Sequence, residues 1–293
     1  MRLGLVTCAD LPGWEVDDHA LFAAMDRAAG VAWDRPVWSD LRVDWAGYDG
    51  LLLRTTWDYT DRVGAFVAWA EGLPCPLFNA PAVVRWNTRK TYLRDLAARG
   101  VPIAPTVWLR AGGRVDLGQA MAAQGWERAF FKPVVGATAR GTGRALPGGL
   151  AEAQAALDAW LEDEDMMLQP YLGSVEREGE LSVIVVDGEP THAVRKVPVP
   201  GDYRVQDDFG AHDEPIALSD ELGALASLAL GAAQALLGGA PLLYGRVDAL
   251  RLDDGRLVLN ELELVEPSLF LRHGPRAAER LADALIARVG ASR

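Results

Sequence analysis

The chain is poor in cysteine and contains neither a long apolar run nor an excess of basic charge. Its two cysteines, Cys8 and Cys75, are far apart in 293 residues and match no metal-binding or redox spacing. Isolated cysteines of this kind predict reduced thiols and a cytoplasmic location. Met1 leads directly into a strand-like segment, so we expect no signal peptide, and no apolar stretch reaches membrane-spanning length. A membrane is therefore not expected as a partner.

The charge balance excludes another class of partner. A formal net charge of −12 disfavours general nucleic-acid binding, because phosphate backbones would be repelled. The tryptophans are scattered singly and form no basic–aromatic stripe for single-stranded nucleic acid. With 50 % apolar and 24 % charged residues, the composition is that of a globular protein. The sequence therefore predicts a folded protein that is not a general nucleic-acid binder.

Strand-like and helix-like segments alternate through residues 1–86. Strands are predicted at 3–7, 31–38, 50–55 and 75–79, with helices at 19–29 and 62–71. This alternation is typical of a parallel sheet covered on both faces, and therefore of an α/β domain. A further helix is expected from Asn87 or Thr88 to residue 99, with Lys90 in its first turn.

The pattern changes after this helix. Residues 87–172 would form a small central module, with strands at 129–133 and 166–170 around a glycine-rich loop and a helix at 150–161. Residues 173–293 would form a third unit. It contains a hairpin at 180–197 turning at Asp187-Gly188, a helix at 220–237, strands at 242–252 and 256–265, and a last helix at 275–289.

The glycine-rich loop follows Lys132, which ends an apolar strand. Gly136, Gly141 and Gly143 would let backbone amides approach phosphate oxygens. The loop lacks the Gly-Lys-Ser/Thr order of a Walker A motif and the spacing of a dinucleotide fingerprint. A plain hairpin tip is the alternative, but a lysine at the end of an apolar strand calls for an anionic partner.

Acidic residues cluster on the late strands. Glu261 and Glu263 are two positions apart and share a strand face, and Asp248 occupies the preceding strand. Carboxylates that converge on one face repel each other unless a cation lies between them, and magnesium prefers such oxygens together with phosphate. The alternative is a solvated face of an edge strand.

Two arginines are candidates for holding a substrate carboxylate by two hydrogen bonds, Arg54 at the end of a buried strand and Arg246 on the face of Asp248. A structural ion pair with Asp58 or with an acidic strand residue is the alternative for each. Glu15, Asp17 and Asp18 could bind an ammonium group, or could be ordinary acids at a helix N-terminus.

The order of these features resembles the ATP-grasp superfamily over most of the chain. The resemblance is carried by Lys90, by Lys132 with its glycine loop, by residues 166–172, and by the acids of the late strands. Residues 179–190 are similar to the glutathione-synthetase and RimK-like branch. The resemblance implies an N-terminal parallel-sheet domain, a small central lid and a C-terminal, mainly antiparallel sheet domain.

The resemblance also implies ATP and Mg²⁺ as cofactors, and a role for each matched position. Gln169, Tyr171 and Leu172 would border the adenine, and Glu180 the ribose. The residues that face the phosphates would be Lys90, Lys132, Lys196, Arg204 and the loop glycines. The metal would bind Asp248, Glu261 and Glu263. Catalysis would use Arg246, Lys196 and Arg204. The sequence departs from the family at Glu263, where the pattern Glu-x-Asn has asparagine.

A narrower likeness lies in residues 54–59, 86–90, 100–106 and 266–268, which resemble the subgroup that includes the cyclo-ligase of cycloserine biosynthesis. It implies an ADP-forming carboxylate–amine ligase that forms an acyl phosphate on an amino-acid-like carboxylate. The substrate-side residues would be Arg54, Trp57, Asp58, Tyr59, Arg246 and Ser268. Homo-oligomers occur in this branch, although no feature of the sequence itself indicates one.

Three other functions remain to be weighed. A two-substrate amide ligase of the RimK or glutathione-synthetase type would share all of these motifs. A non-catalytic ATP-binding module would keep the fold, but the complete set of lysines and acids argues against it. An oxidoreductase is disfavoured because the segment after the first strand, residues 7–13, has no glycine fingerprint.

Overall fold

The computed structural model describes residues 1–11 and 14–292, with the backbone alone for Trp14, Glu15 and Asp207. The first domain consists of β1 (Arg2–Thr7), α1 (His19–Arg27), β2 (Ala32–Asp34), β3 (Gly50–Thr55), α2 (Val63–Glu71), β4 (Leu77–Phe78) and α3 (Pro81–Asn87). Its strands form a parallel sheet in the order β2-β1-β3-β4. Every residue of β3 is buried, as expected for a central strand covered on both faces.

After α3 comes α4 (Tyr92–Ala97), whose buried residues join the apolar core of the C-terminal sheet. The lid consists of β5 (Val107–Leu109), α5 (Leu117–Gln124), β6 (Ala129–Pro133), β7 (Gly143–Ala145), α6 (Leu150–Leu161) and β8 (Met166–Pro170). Its sheet is antiparallel, in the order β5-β8-β6-β7. The predicted long helix with Lys90 in its first turn is wrong. Lys90 lies in the turn between α3 and α4, where its amide donates to Val134 O at 2.8 Å.

The third unit consists of α7 (Ser174–Glu178), β9 (Glu180–Val186), β10 (Glu189–Val197), β11 (His212–Ile216), α8 (Asp220–Leu236), β12 (Tyr244–Arg251), β13 (Leu257–Glu263) and α9 (Pro275–Ala291). Its antiparallel sheet has the order β11-β10-β9-β12-β13. Ser219 precedes α8, and its side chain accepts from the Leu222 amide and caps the helix. Its buried residues recur at helical spacing and pack on the sheet.

Two asparagines attach the first domain to the late strands. Asn79 donates to Tyr244 O at 2.9 Å and to Leu264 O at 2.8 Å. Asn87 donates to Leu262 O at 2.8 Å and accepts from the Leu264 amide at 2.7 Å. Its side chain is therefore used on the late strands and does not cap a helix, contrary to the expectation from the sequence. α9 packs against α1 and joins the apolar core that contains β1. These contacts fix the end of β13 against the first domain.

In the described part of the chain, no helix is long and apolar enough to cross a membrane.

Candidate active site

A cavity of about 530 Å³ opens where the first domain, the lid and the C-terminal sheet meet. Trp57 and Tyr59 line it from the first domain, Lys132 from the lid, and Asp248 and Glu261 from the C-terminal sheet. The structure therefore brings the predicted basic residues of the middle of the chain and the predicted acidic residues of its end into the same space.

The lysines of the lid side meet Glu261 directly. Lys132 Nζ donates to Glu261 Oε1 at 2.7 Å, and Lys90 Nζ lies 3.4 Å from Glu261 Oε2. Lys90 also donates to Gly136 O at 2.8 Å, which ties it to the glycine loop. Lys132 is only 4 % exposed, and Glu261 is the anionic partner that its position at the end of an apolar strand requires.

A second buried charge cluster surrounds Asp248. Arg246 Nε donates to Asp248 Oδ1 at 2.9 Å, and Lys196 Nζ lies 3.3 Å from the same oxygen. Lys196 also pairs with Glu180, and Arg246 with Glu263. Glu180, Lys196, Arg246 and Asp248 are buried, so removal of one of these charges would leave another uncompensated.

The partners of these carboxyl groups decide which of them are ionised. Burial acts to raise the pKa of Glu261, but the charges of Lys132 and Lys90 outweigh it and lower the pKa to about 2. Burial likewise opposes the ionisation of Asp248, yet Arg246 and Lys196 lower its pKa below the usual range. For Glu263 burial prevails over the attraction of Arg246 and raises the pKa to about 7.

A β-bulge in β13 brings an extra polar side chain into the cavity. Asp248 pairs with Glu261, whereas Ala249 pairs with Leu259, so Asn260 has no partner in the ladder. Strict alternation would point Asn260 away from Glu261, but the bulge lets both line the cavity. Asn260 accepts from Lys132 at 3.3 Å and donates to Glu180, and it therefore links the two charge clusters.

The donor chemistry suits magnesium at two of the three predicted ligands. Asp248 and Glu261 are direct cross-strand partners, and both are held ionised, as a hard cation requires. Glu263 suits a metal less well because its pKa is raised to about 7; like Asp248, it also accepts a hydrogen bond from Arg246. Among the described residues, no group of three or more acids, histidines or cysteines is arranged to hold a metal ion by itself. The remaining ligands would have to come from phosphate and water.

Within the glycine loop, residue 136 lies in the cavity wall, whereas residues 141 and 143 do not. A Cβ on Gly143 would lie 2.3 Å from Phe131 Cζ, and one on Gly141 would lie 2.8 Å from Pro133 Cγ. Both glycines are thus required for close packing on β6, and contact of their backbone amides with phosphate stays a prediction. Thr142 of the same loop hydrogen-bonds the Tyr203 hydroxyl at 2.8 Å, which links the loop to the C-terminal unit.

The predicted adenine-side residues lie together at the lid end of the cavity. Gln169, Tyr171 and Leu172 all line it, and Gln169 is oriented by a 2.9 Å hydrogen bond to Thr106. Glu180 also lines the cavity, but its carboxylate is taken by Lys196 and Asn260. Arg204 lies at the rim, bonded to Asp202 and stacked 3.9 Å from the Phe209 ring centroid.

On the substrate side the structure corrects the role expected for Arg54. Arg54 is 2 % exposed, does not line the cavity, and donates to Asp18 at 2.9 and 2.7 Å and to Pro267 O at 3.2 Å. It forms a structural ion pair, with Asp18 and not with Asp58. Asp58 instead accepts from Trp38 at 2.6 Å and from Arg62 at 2.9 Å.

The other substrate-side predictions do lie in the cavity wall. They are Trp57, Asp58, Tyr59, Arg246 and Ser268. The Ser268 hydroxyl donates to Asp17, which also pairs with Arg272. Of the three acids considered for an ammonium group, Asp17 lines the cavity, Asp18 holds Arg54, and the side chain of Glu15 lies outside the described residues.

Sequence reasoning gave no role to several residues of the wall, among them Asn260, Glu266 and Arg272. Asn260 could be found only by locating the bulge, and Arg272 only by knowing that residue 17 lies beside it. Glu266 stands in the quoted segment 266–268, but nothing in the sequence distinguishes it from a surface acid after a strand.

Comparison with known proteins agrees with this geometry. Residues 3–79 match the family model described as the N-terminal domain of D-cycloserine synthetase DcsG, and residues 133–265 match the RimK-like ATP-grasp domain. The cycloserine biosynthesis protein DcsG of Streptomyces lavendulae is 34 % identical, and the alignment covers 98 % of each chain. The chain belongs to the DcsG family of ATP-grasp ligases.

Solved structures lead to the same family and confirm the expected fold. The crystal structure of D-cycloserine synthetase DcsG matches this ATP-grasp ligase with a TM-score of 0.89 and 31 % identity, over 99 % of this chain and 100 % of that one. The D-alanine–D-alanine ligase of Bacillus anthracis, solved with ATP, matches with a TM-score of 0.73 at 18 % identity, over 100 % and 98 % of the two chains. At that identity the second likeness shows the shared fold alone.

Proposed function

We propose that this chain is an ADP-forming ligase that activates the carboxylate of a small amino-acid-like substrate and closes a ring by attack of a nitrogen in the same molecule. The observation that carries the proposal is the convergence of Lys90, Lys132 and Lys196 with Asp248 and Glu261 in one cavity. The match of residues 3–79 to the DcsG N-terminal domain, which forms the other wall, supports ring closure.

The phosphates of ATP would displace the present ion pairs of the lysines. Lys132 and Lys90 now neutralise Glu261, and a polyphosphate bound with magnesium would offer them stronger partners. Asp248 and Glu261 would hold the Mg²⁺, which when bound neutralises phosphate charge. The roles of Glu263 as a third metal ligand, of Gln169, Tyr171 and Leu172 toward adenine, and of Glu180 toward ribose stay predictions.

The reaction needs positioning and charge neutralisation more than a protein nucleophile. The substrate carboxylate attacks the γ-phosphorus, ADP leaves, and an acyl phosphate forms on the substrate. The nitrogen then attacks the acyl carbon, the carbon–oxygen bond to phosphate breaks, and the nitrogen loses a proton. Arg246, Lys196 and Arg204 line the cavity and would balance the negative charge of the phosphoryl groups. Closure of the glycine loop would exclude the water that hydrolyses acyl phosphates.

The decisive assay measures nucleotide products with a single candidate substrate. A β-aminooxy amino acid, the ring-opened form of cycloserine, should release ADP and phosphate and yield a product lighter by one water, with no second amine present. Formation of AMP would contradict the acyl-phosphate route. A strict requirement for a second amine would favour the two-substrate ligase, and nucleotide binding without turnover would favour the non-catalytic module.

The cytoplasmic location and the homo-oligomer stay predictions. The free thiols of Cys8 and Cys75 are compatible with a reducing compartment.

A further inference from the structure

The segment that follows β13 is held at four consecutive backbone carbonyls. Each carbonyl accepts a hydrogen bond from a different side chain: Val265 O from Tyr244 at 2.6 Å, Glu266 O from Trp57 at 3.0 Å, Pro267 O from Arg54 at 3.2 Å and Ser268 O from Arg246 at 3.1 Å. The donors come from the first domain and from the C-terminal sheet. A loop fixed in this way holds its side chains in a set position relative to both cavity walls.

Glu266 projects from this segment into the cavity. Tyr59 also lines the cavity and is 5 % exposed, and its phenol acts to lower the pKa of Glu266. The cavity carboxylates Asp17, Glu180, Asp248, Glu261 and Glu263 each pair with a lysine or an arginine. Within the described chain Glu266 forms no such ion pair, so its carboxyl group remains available to a substrate.

Ring closure needs an acceptor of this kind. As the new carbon–nitrogen bond forms and phosphate leaves, the attacking nitrogen must lose one proton. We propose that Glu266 takes that proton. The inference rests on the proposed function, and it names a step that the phosphate-side cations cannot perform, because protonated lysine and arginine have no free lone pair.

The groups that face Glu266 support this assignment. They are Tyr59 after β3, Lys90 between α3 and α4, Arg246 on β12 and Glu263 on β13. Burial, followed by the charge of Glu263, raises the pKa of Glu266 to about 8, whereas Tyr59, Lys90 and Arg246 act to lower it. A carboxyl group in this range can exchange a proton near neutral pH, which the strongly acidic Glu261 cannot do.

The test separates the two halves of the reaction. Acyl phosphate is trapped with added hydroxylamine as a hydroxamate and counted beside ADP, while the ring product is measured by mass spectrometry. Glu266→Gln should still give ADP and hydroxamate in response to the β-aminooxy amino acid, but its rate of ring formation should fall by about a hundredfold or more. Asp10→Asn makes the matched change at an exposed carboxylate of the same cavity to which no role is assigned.

Ring formation in Glu266→Gln within about threefold of wild type would overturn the inference, as would an equal loss of both half-reactions. If Glu266→Gln does not fold, Tyr59→Phe decides. Loss of the phenol should raise the pKa of Glu266, so the rate of ring formation should increase with pH only at higher pH than in wild type. A pH profile that does not move would overturn the inference. Failure of the proposed function gives a different result, because wild type would then release no ADP in response to the carboxylate.

Discussion

Replacement of Arg54 by alanine should strongly destabilise the protein, because Arg54 lies outside the cavity and neutralises a buried carboxylate. The Arg54 and Asp18 side chains are 3 % and 2 % exposed, so the substitution leaves a buried carboxylate without its partner. Breaking a buried ion pair in this way costs about 3–5 kcal/mol. The free energy of unfolding of a protein is roughly 5–15 kcal/mol in total, so the loss should be clear in urea unfolding. The slope of the free energy of unfolding against urea concentration should not change.

Two further variants make this prediction specific. The double variant Arg54→Leu with Asp18→Leu removes both charges and should recover most of the loss, because apolar replacements of buried ion pairs are often neutral. Arg62→Ala removes an exposed arginine that pairs with Asp58 and should cost at most about 1 kcal/mol. An Arg54→Ala protein of nearly normal stability, with a raised KM for the carboxylate substrate, would refute the structural role.

Two other predictions concern the loop and the buried acids. Gly143→Ala should lower the free energy of unfolding by about 1–3 kcal/mol, because the added Cβ would lie 2.3 Å from Phe131. Gly136→Ala is the control: the atom nearest to its added Cβ is 3.6 Å away, so urea unfolding should be unchanged. The pKa values of Glu263 and Glu266, raised to about 7 and about 8 from 4.5, mean that the folded state binds more protons across this range. Their contribution to stability is therefore complete below about pH 4.5 and lost as the pH rises toward 8. In ligand-free protein Glu266→Gln should flatten the decline of urea midpoint between pH 5 and 8, and an unchanged slope would contradict the raised pKa.

Much of the site could be predicted because periodicity and spacing are local properties. The alternation of β13 gives Glu261 and Glu263 one face, and the turn before it makes the strand of Asp248 its neighbour. A lysine at the end of an apolar strand needs an anion, and the structure supplies Glu261 to Lys132. The parallel sheet of the first domain follows from its strand–helix alternation.

The remaining features depend on contacts that no local pattern specifies. The sequence offers several acids as ion-pair partners for Arg54. Only the packing of α1 places Asp18, 36 residues away in the chain, beside it. Lys90 falls in a turn because the chain bends after Asn87, whose side chain is used on β13. The bulge at Asn260 interrupts an otherwise regular strand and cannot be read from alternation.

The central claim is that Lys132 and Glu261 meet at a shared, magnesium-bound polyphosphate. The most direct measurement is calorimetric binding of ATP with and without Mg²⁺ to wild type, to Glu261→Gln, and to Glu152→Gln, which changes an exposed acid of α6. Wild type and Glu152→Gln should bind at least about tenfold more tightly with Mg²⁺, and Glu261→Gln should lose most of that gain. A full magnesium effect in Glu261→Gln would contradict the account.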